Sequence, residues 1–187
     1  MFLRVKGEVQ LEKWIHNRTL YEGPIIRLRV GEVEIDDGSH HGREVVDHNG
    51  GVAVVPFLGD RVILVRQFRI AIEEDILELP AGRLEGDEDV EYRVRQELEE
   101  EVGYRPGRLV HVSSCYCSPG FTNELDHIYL AFDLTPCERR PEPDENIELV
   151  ELTLDEVRSM LDKHEFIDAK TIIGLRELLV HLQDDGR

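Results

Sequence analysis

The chain has 187 residues, 41% of them hydrophobic, which suffices for one globular domain or a domain with a substantial arm, with no disulfide or metal staple required. Its 40 acidic residues against 22 basic ones give a formal net charge of -18. A field of that sign repels nucleic-acid backbones and anionic membranes, which excludes a general nucleic-acid or membrane-surface binder; a small anionic substrate is still compatible where a cation reverses the local potential.

The first residues, Met1 to Lys6, lack the long apolar core of a signal peptide, and no apolar run is long enough to span a bilayer, so a cytoplasmic location is expected. The segment to about Asn49 reads as antiparallel strands. Residues 25–30 and 33–35 carry β-branched side chains with partial alternation, Asp36-Asp37-Gly38 is a hairpin turn signal, and residues 43–47 are the return strand. Asn49-Gly50-Gly51 interrupts the pattern, dividing an N-terminal strand subdomain (1–49) from a core domain (50–187). Trp14 and Tyr21 are candidate anchors for a partner surface or, equally, for local core.

In the core, residues 52–57 form a buried strand and Leu58-Gly59-Asp60 a tight turn, with residues 61–69 the expected antiparallel partner. Residues 76–80 are short and extended, and Pro80-Ala81-Gly82 ends regular structure. A helix follows. Asp87, Glu88 and Asp89 suit its N-terminus, Val90, Val94, Leu98 and Val102 form a buried stripe, and Gly103 stops it. Strands are predicted at 109–112 and 127–132, joined through the loop 118–124, and residues 141–146 make a second polar loop. Cys115 and Cys117 flank Tyr116 at strand spacing and would share a sheet face. With Cys137 they make an odd number, and His111 and His127 complete no zinc-ligand pattern, so all three are read as buried structural thiols rather than metal ligands. Thr153 and Glu156 match a capping box ahead of Val157, Met160 and Leu161. Asp168 is placed to cap a last helix whose Ile172, Leu175, Leu178, Leu179 and Leu182 face inward.

The most informative stretch is the acidic helix. Glu97, Glu100 and Glu101 stand at i, i+3 and i+4, hence on one helix face, where they repel one another. A divalent cation resolves that repulsion, and Mg²⁺ is typically shared between one or two carboxylates and substrate phosphates, so the spacing points to a magnesium–phosphate site. A solvated acidic face is the alternative on spacing alone.

The residues around the helix resemble the Nudix box, G-x5-E-x7-R-E-U-x-E-E-x-G-U with U bulky and apolar. Gly82, Glu88, Glu97, Leu98, Glu100, Glu101, Gly103 and Tyr104 occupy its positions, and Gln96 departs from it by standing where the pattern has arginine. The resemblance implies the Nudix fold, an α/β (α+β) architecture with an α/β/α sandwich around a mixed sheet, here carrying an N-terminal antiparallel sheet arm. It also implies Glu97, Glu100 and Glu101 as catalytic metal ligands with the carbonyl of Ala81, Mg²⁺ as cofactor with Mn²⁺ able to substitute, and a loop carboxylate as base, Glu145 first with Asp144 and Glu142 in reserve. Glutamine at 96 brings no charge and no rigid fork. Arg93, four residues before Glu97, is a candidate to compensate.

Further phrases resemble the ADP-ribose and NDP-sugar pyrophosphatase branch: Arg66-Gln67-Phe68-Arg69, Leu77-Glu78-Leu79-Pro80-Ala81-Gly82 and Ser118-Pro119-Gly120-Phe121-Thr122. Arg69 and Arg66 are candidates to clamp an outer phosphate oxygen. Glu78 and Pro119 are assigned to the same substrate site, whereas Phe68 and Phe121 are read as core or loop packing. The activity implied is hydrolysis of ADP-ribose to AMP and ribose 5-phosphate by a homodimer paired through its N-terminal strands. Two alternatives stand beside it: a Nudix hydrolase preferring another NDP-sugar (GDP-mannose, ADP-glucose) or a dinucleoside polyphosphate, and a non-catalytic nucleotide-sensing domain, which only Gln96 favours.

Overall fold

The structure is a computed structural model that describes residues 11–141, 146–184 and 186. The chain divides into two compact units. The first holds the N-terminal strands up to His48 together with the loop Ser118–Asn123, and the second holds Asn49–Cys117 and the chain from Glu124 onward.

In the first unit, β1 (Lys13–Glu22), β2 (Arg27–Glu34) and β3 (His40–Asp47) form an antiparallel sheet in that order. The turn at Asp36-Asp37-Gly38 closes as the sequence suggests: Gly38 has φ 80°, its N–H donates to the carbonyl of Ile35, and Glu34 pairs with His40. Arg27 and Arg29 both donate to Asp47 from the neighbouring strand. β1 is exposed along its whole length, with Trp14 37% and Tyr21 54% accessible, so neither ring is local core. The loop at 118–123 joins this unit through the backbone, the N–H of Val46 donating to the carbonyl of Phe121 at 2.8 Å. The Phe121 ring is exposed, contrary to the packing role expected of it.

In the second unit, β4 (Gly51–Pro56), β7 (Ala81–Arg83), β8 (Tyr104–Tyr116) and β9 (Leu125–Pro136) form a mixed sheet in the order β7-β4-β9-β8, parallel only between β4 and β9. A second sheet joins β10 (Glu148–Thr153), β5 (Arg61–Arg69) and β6 (Glu74–Glu78). The predicted pairing of β4 with β5 is therefore corrected. The turn forms, with the N–H of Leu58 donating to the carbonyl of Arg61, but only Phe57 and Val62 bridge before the strands part into different sheets. Every residue of β4 is buried and both its edges are taken, by β7 and β9, so no edge is left for β5. Phe68, expected to pack, is half exposed on β5.

Strand alternation divides the core in two. Val52 and Val54 face Val94, Leu98 and Val102 of the acidic helix, while Ala53 and Val55 face Val157 and Leu161 of α2 (Leu154–Asp162) and Leu175, Leu178 and Leu182 of α3 (Ala169–Asp184). This is the helix–sheet–helix layering that the sequence implied. The acidic helix, α1 (Val90–Glu97), is capped by Asp89, whose side chain accepts from the Tyr92 N–H. It continues as one π-helical turn, Leu98–Val102, and ends at Gly103 in the left-handed region at φ 79°. Thr153 and Glu156 form the expected capping box at α2.

The start of α3 ties the helix to the sheet. Asp168 accepts from the backbone N–H and the hydroxyl of Thr171 at 2.9 and 2.7 Å, and the Thr171 hydroxyl accepts from the Leu79 N–H at 2.9 Å. Burial alone would raise the Asp168 carboxyl, but Lys170 and the Thr171 donors together hold it below its ordinary value. Asp168→Ala should therefore cost at least the ~1 kcal/mol of a lost cap, read as a lower urea midpoint at neutral pH. Because the folded-state pKa is depressed, the deficit should be full above the ordinary aspartate value of 3.8 and vanish as pH falls further through the folded value.

Candidate active site

Two of the sequence-identified glutamates meet at the junction of β7 and the acidic helix. Glu97 and Glu101 are each only 3% exposed. The Ala81 N–H donates to the Glu101 carboxylate at 3.2 Å. The Glu97 carboxylate lies over the α-carbon of Gly82, where a β-carbon would come within 1.6 Å of Oε1. Glycine is needed here for close approach and not for an unusual backbone angle. Glu100 is less buried than these two. It lines an open cavity of about 400 Å³ with Tyr92, Gln96, Glu99, Arg105 and Arg140.

Gln96 takes no part in holding Glu97. Its amide donates to the Tyr92 hydroxyl at 3.0 Å. Arg93 pairs with Glu97 instead, Nη2 to Oε1 at 2.5 Å, with side-chain exposures of 19% and 4%. Removing one partner of a pair this buried typically costs on the order of 3 kcal/mol, which dwarfs the few tenths of an exposed i,i+4 pair. Arg139, whose role the sequence does not announce, donates from Nε to the Glu101 carbonyl at 2.5 Å and from Nη2 to the Ile147 carbonyl at 3.0 Å, fixing the end of the π turn.

Arg69 also lies in this region. It makes a two-point contact with Glu78 at 2.6 and 3.1 Å, and Glu78 is 3% exposed. Burial works against the Arg69 charge, but Glu78, Glu101 and Asp168 outweigh it and leave the guanidinium more firmly protonated than usual. Lys170 is a site cation that sequence reading missed. Its ammonium donates to Asp168 at 3.1 Å; burial opposes the charge, yet Asp168, Asp126 and Glu78 raise its pKa above the ordinary value. The only signal in the sequence was its position two residues after the helix cap.

Arg66 faces Glu148 on β10 at 3.5 Å, both side chains at least half exposed, as a strand surface pair would be. Pro119 lies in the loop of the first unit, lining a cavity of about 530 Å³ with Trp14, Arg43 and Phe121. Glu145, with Asp144 and Glu142, falls outside the described residues.

The donor set fits a hard divalent cation. Two buried carboxylates converge on the strand that carries the Ala81 carbonyl, and oxygen ligands with room for phosphate suit Mg²⁺ or Mn²⁺. Cys117, Glu124 and Asp126 also bring ligand atoms within 4.8 Å of one another. There the thiol donates to Asp126 at 3.0 Å, and burial together with that bond pushes its pKa up to about 12. It is a proton donor at neutral pH rather than a thiolate ligand. All three cysteines are free.

Comparison with known proteins places the chain in a family. Residues 47–174 match the model of the NUDIX domain. The chain is 39% identical over 170 residues to the ADP-ribose pyrophosphatase of Bacillus subtilis (strain 168), covering 89% of this chain and 92% of that one. It is 36% identical over 175 residues to the methanol dehydrogenase activator of Bacillus methanolicus, covering 92% and 95%. A solved structure described as an ADP compounds hydrolase superposes with a TM-score of 0.86 at 23% identity, covering 97% of this chain and all of that chain, and so shares the fold.

The contact at Gly82 yields a direct test. Gly82→Ala should displace the Glu97 carboxylate and weaken Mn²⁺ binding tenfold or more by calorimetric titration, with the far-UV circular dichroism spectrum unchanged.

Proposed function

Since the chain belongs to the Nudix family, we propose that this pyrophosphatase cleaves the diphosphate of a nucleoside-diphosphate sugar, ADP-ribose foremost, releasing AMP and ribose 5-phosphate. The observation that carries this reading is the convergence of buried Glu97 and Glu101 on Ala81 and Gly82 beside the Arg69–Glu78 pair. A bound Mg²⁺ would polarise the phosphoryl group and lower the pKa of an attacking water. The chain's own residues do the remainder. Glu97 and Glu101, with Glu100 nearby and the Ala81 carbonyl, hold the cation. Arg69 takes an outer phosphate oxygen, and Glu78, too buried to move, fixes the guanidinium fork for that contact. Lys170 adds a second positive group on the same side of the site. Arg66, Pro119 and Glu145 retain the roles of outer cation, substrate contact and base in this proposal.

The relative named as an enzyme activator favours a second reading, in which the domain binds a nucleotide in the service of another protein. Incubation with Mg²⁺ and a panel of ADP-ribose, ADP-glucose, GDP-mannose and diadenosine polyphosphates separates the two. Hydrolysis with ADP-ribose preferred is expected, and Glu97→Gln or Glu101→Gln should lower kcat by about a hundredfold or more. Tight binding without turnover of any compound would sink the enzymatic proposal.

The proposal extends to a cytoplasmic homodimer assembled through the N-terminal strands. No described helix is long and apolar enough to cross a membrane. β1 is an edge strand whose Trp14, Ile15, Leu20 and Tyr21 are all exposed, a surface that a second copy would cover. Light scattering after size exclusion should give a dimer, and the double variant Ile15→Asp/Leu20→Asp should elute as a monomer with its circular dichroism intact.

A further inference from the structure

The helix that carries the glutamates holds its cation at a position the box pattern does not use. We propose that Arg93 is the positioning residue for Glu97, supplying from four residues earlier on the helix the cation that Gln96 does not bring. The assignment rests on Glu97 being a metal ligand, as proposed above.

Three observations converge on it. First, α1 is regular through Val90–Glu97, so residues four apart share a face, and Glu97 is the last residue before the π turn. Arg93 is thus in register with Glu97. Gln96, the adjacent residue, points to another flank, where it is engaged with Tyr92 and lines the cavity beside Glu100. Second, the Arg93–Glu97 pair is little exposed, so the guanidinium supplies opposite charge where water has little access to the carboxylate. Third, the carboxylate is pressed against the Gly82 α-carbon, which leaves it a narrow choice of positions. Arg93 and Gly82 both restrict where the Glu97 carboxylate can stand. A cation bound there would meet a carboxylate already oriented, with the ordering cost met on folding rather than on binding.

The role needs charge and reach together, and glutamine at 96 supplies neither. It also differs from catalysis: Arg93 touches Glu97 and acts through it.

The test uses the full chain without substrate. Free Mn²⁺ is followed by electron paramagnetic resonance during titration of wild type, Arg93→Met, Arg93→Gln, Arg93→Met/Gln96→Arg and Glu97→Gln. Both single Arg93 variants should bind Mn²⁺ at least tenfold more weakly, and restoring arginine at 96 should recover part of the loss. With ADP-ribose and saturating Mn²⁺, kcat should fall while KM stays within about twofold. A merely structural role would lower the unfolding temperature in EDTA yet leave Mn²⁺ affinity at the wild-type value in whichever Arg93 variant folds, and that result overturns the assignment. Glu97→Gln keeps the two ideas apart. If it too binds Mn²⁺ normally, the metal reading of the site falls and this inference with it; if it binds weakly while the Arg93 variants do not, only the role of Arg93 is lost.

Discussion

Two carboxylates are kept out of water at the end of a helix, and the surrounding structure is arranged to make that tolerable. Glu97 and Glu101 would each be costly to bury as isolated charges. One is met by Arg93 and the other by the Ala81 N–H. The apolar stripe of Val90, Val94, Leu98 and Val102 clamps the helix to one sheet face, which sets the depth at which the carboxylates lie. Arg139 fastens the π turn from behind. On the other face, Thr171 and Asp168 hold Leu79, and through it the strand entry at Ala81. The two halves of the core thus converge on the backbone stretch from Leu79 to Gly82.

Overall charge and local charge have opposite tasks. The chain is strongly acidic, with a net -18, but the cations Arg69, Arg93, Arg139 and Lys170 lie around the Glu97–Glu101 region or on its supports. Each is bound to a fixed acceptor rather than waving in solvent. Arg69 and Lys170 are held in the protonated state by neighbouring carboxylates against the effect of burial. An anionic substrate entering this region would meet positive groups already positioned, and the acidic exterior costs little at that range because salt screens it.

Much of this was legible in the sequence where the signal is local. The valine and leucine stripe, the Thr153 and Asp168 caps, Gly103 as a stop and the Asp36-Asp37-Gly38 turn are short-range patterns with one physical solution each. The spacing of Gly82, Glu97 and Glu101 was legible for the same reason. Strand pairing was not. Residues 52–57 and 61–69 look like a hairpin because they are adjacent and joined by a tight turn, but β4 is buried on both faces and its edges belong to β7 and β9. Lys170 was invisible because its meaning depends on Asp126 and Glu78, which are distant in sequence. The helical spacing put Glu97, Glu100 and Glu101 on one face; burial then distinguishes Glu97 and Glu101 from Glu100, which lines an open cavity with Gln96.

The parallel pairing of β4 with β9 bears on how the chain is made. Val52 lies opposite His127, 75 positions later (127 − 52), so the centre of the mixed sheet cannot close on a growing chain until β9 has left the ribosome. Until then a strand with no solvent-facing residue waits without its neighbour, which is a window for misassociation during synthesis. The short β4–β7 rungs, which need only some thirty further residues, offer provisional cover on one edge. The centre of this sheet therefore cannot be completed before the second half of the domain has been made.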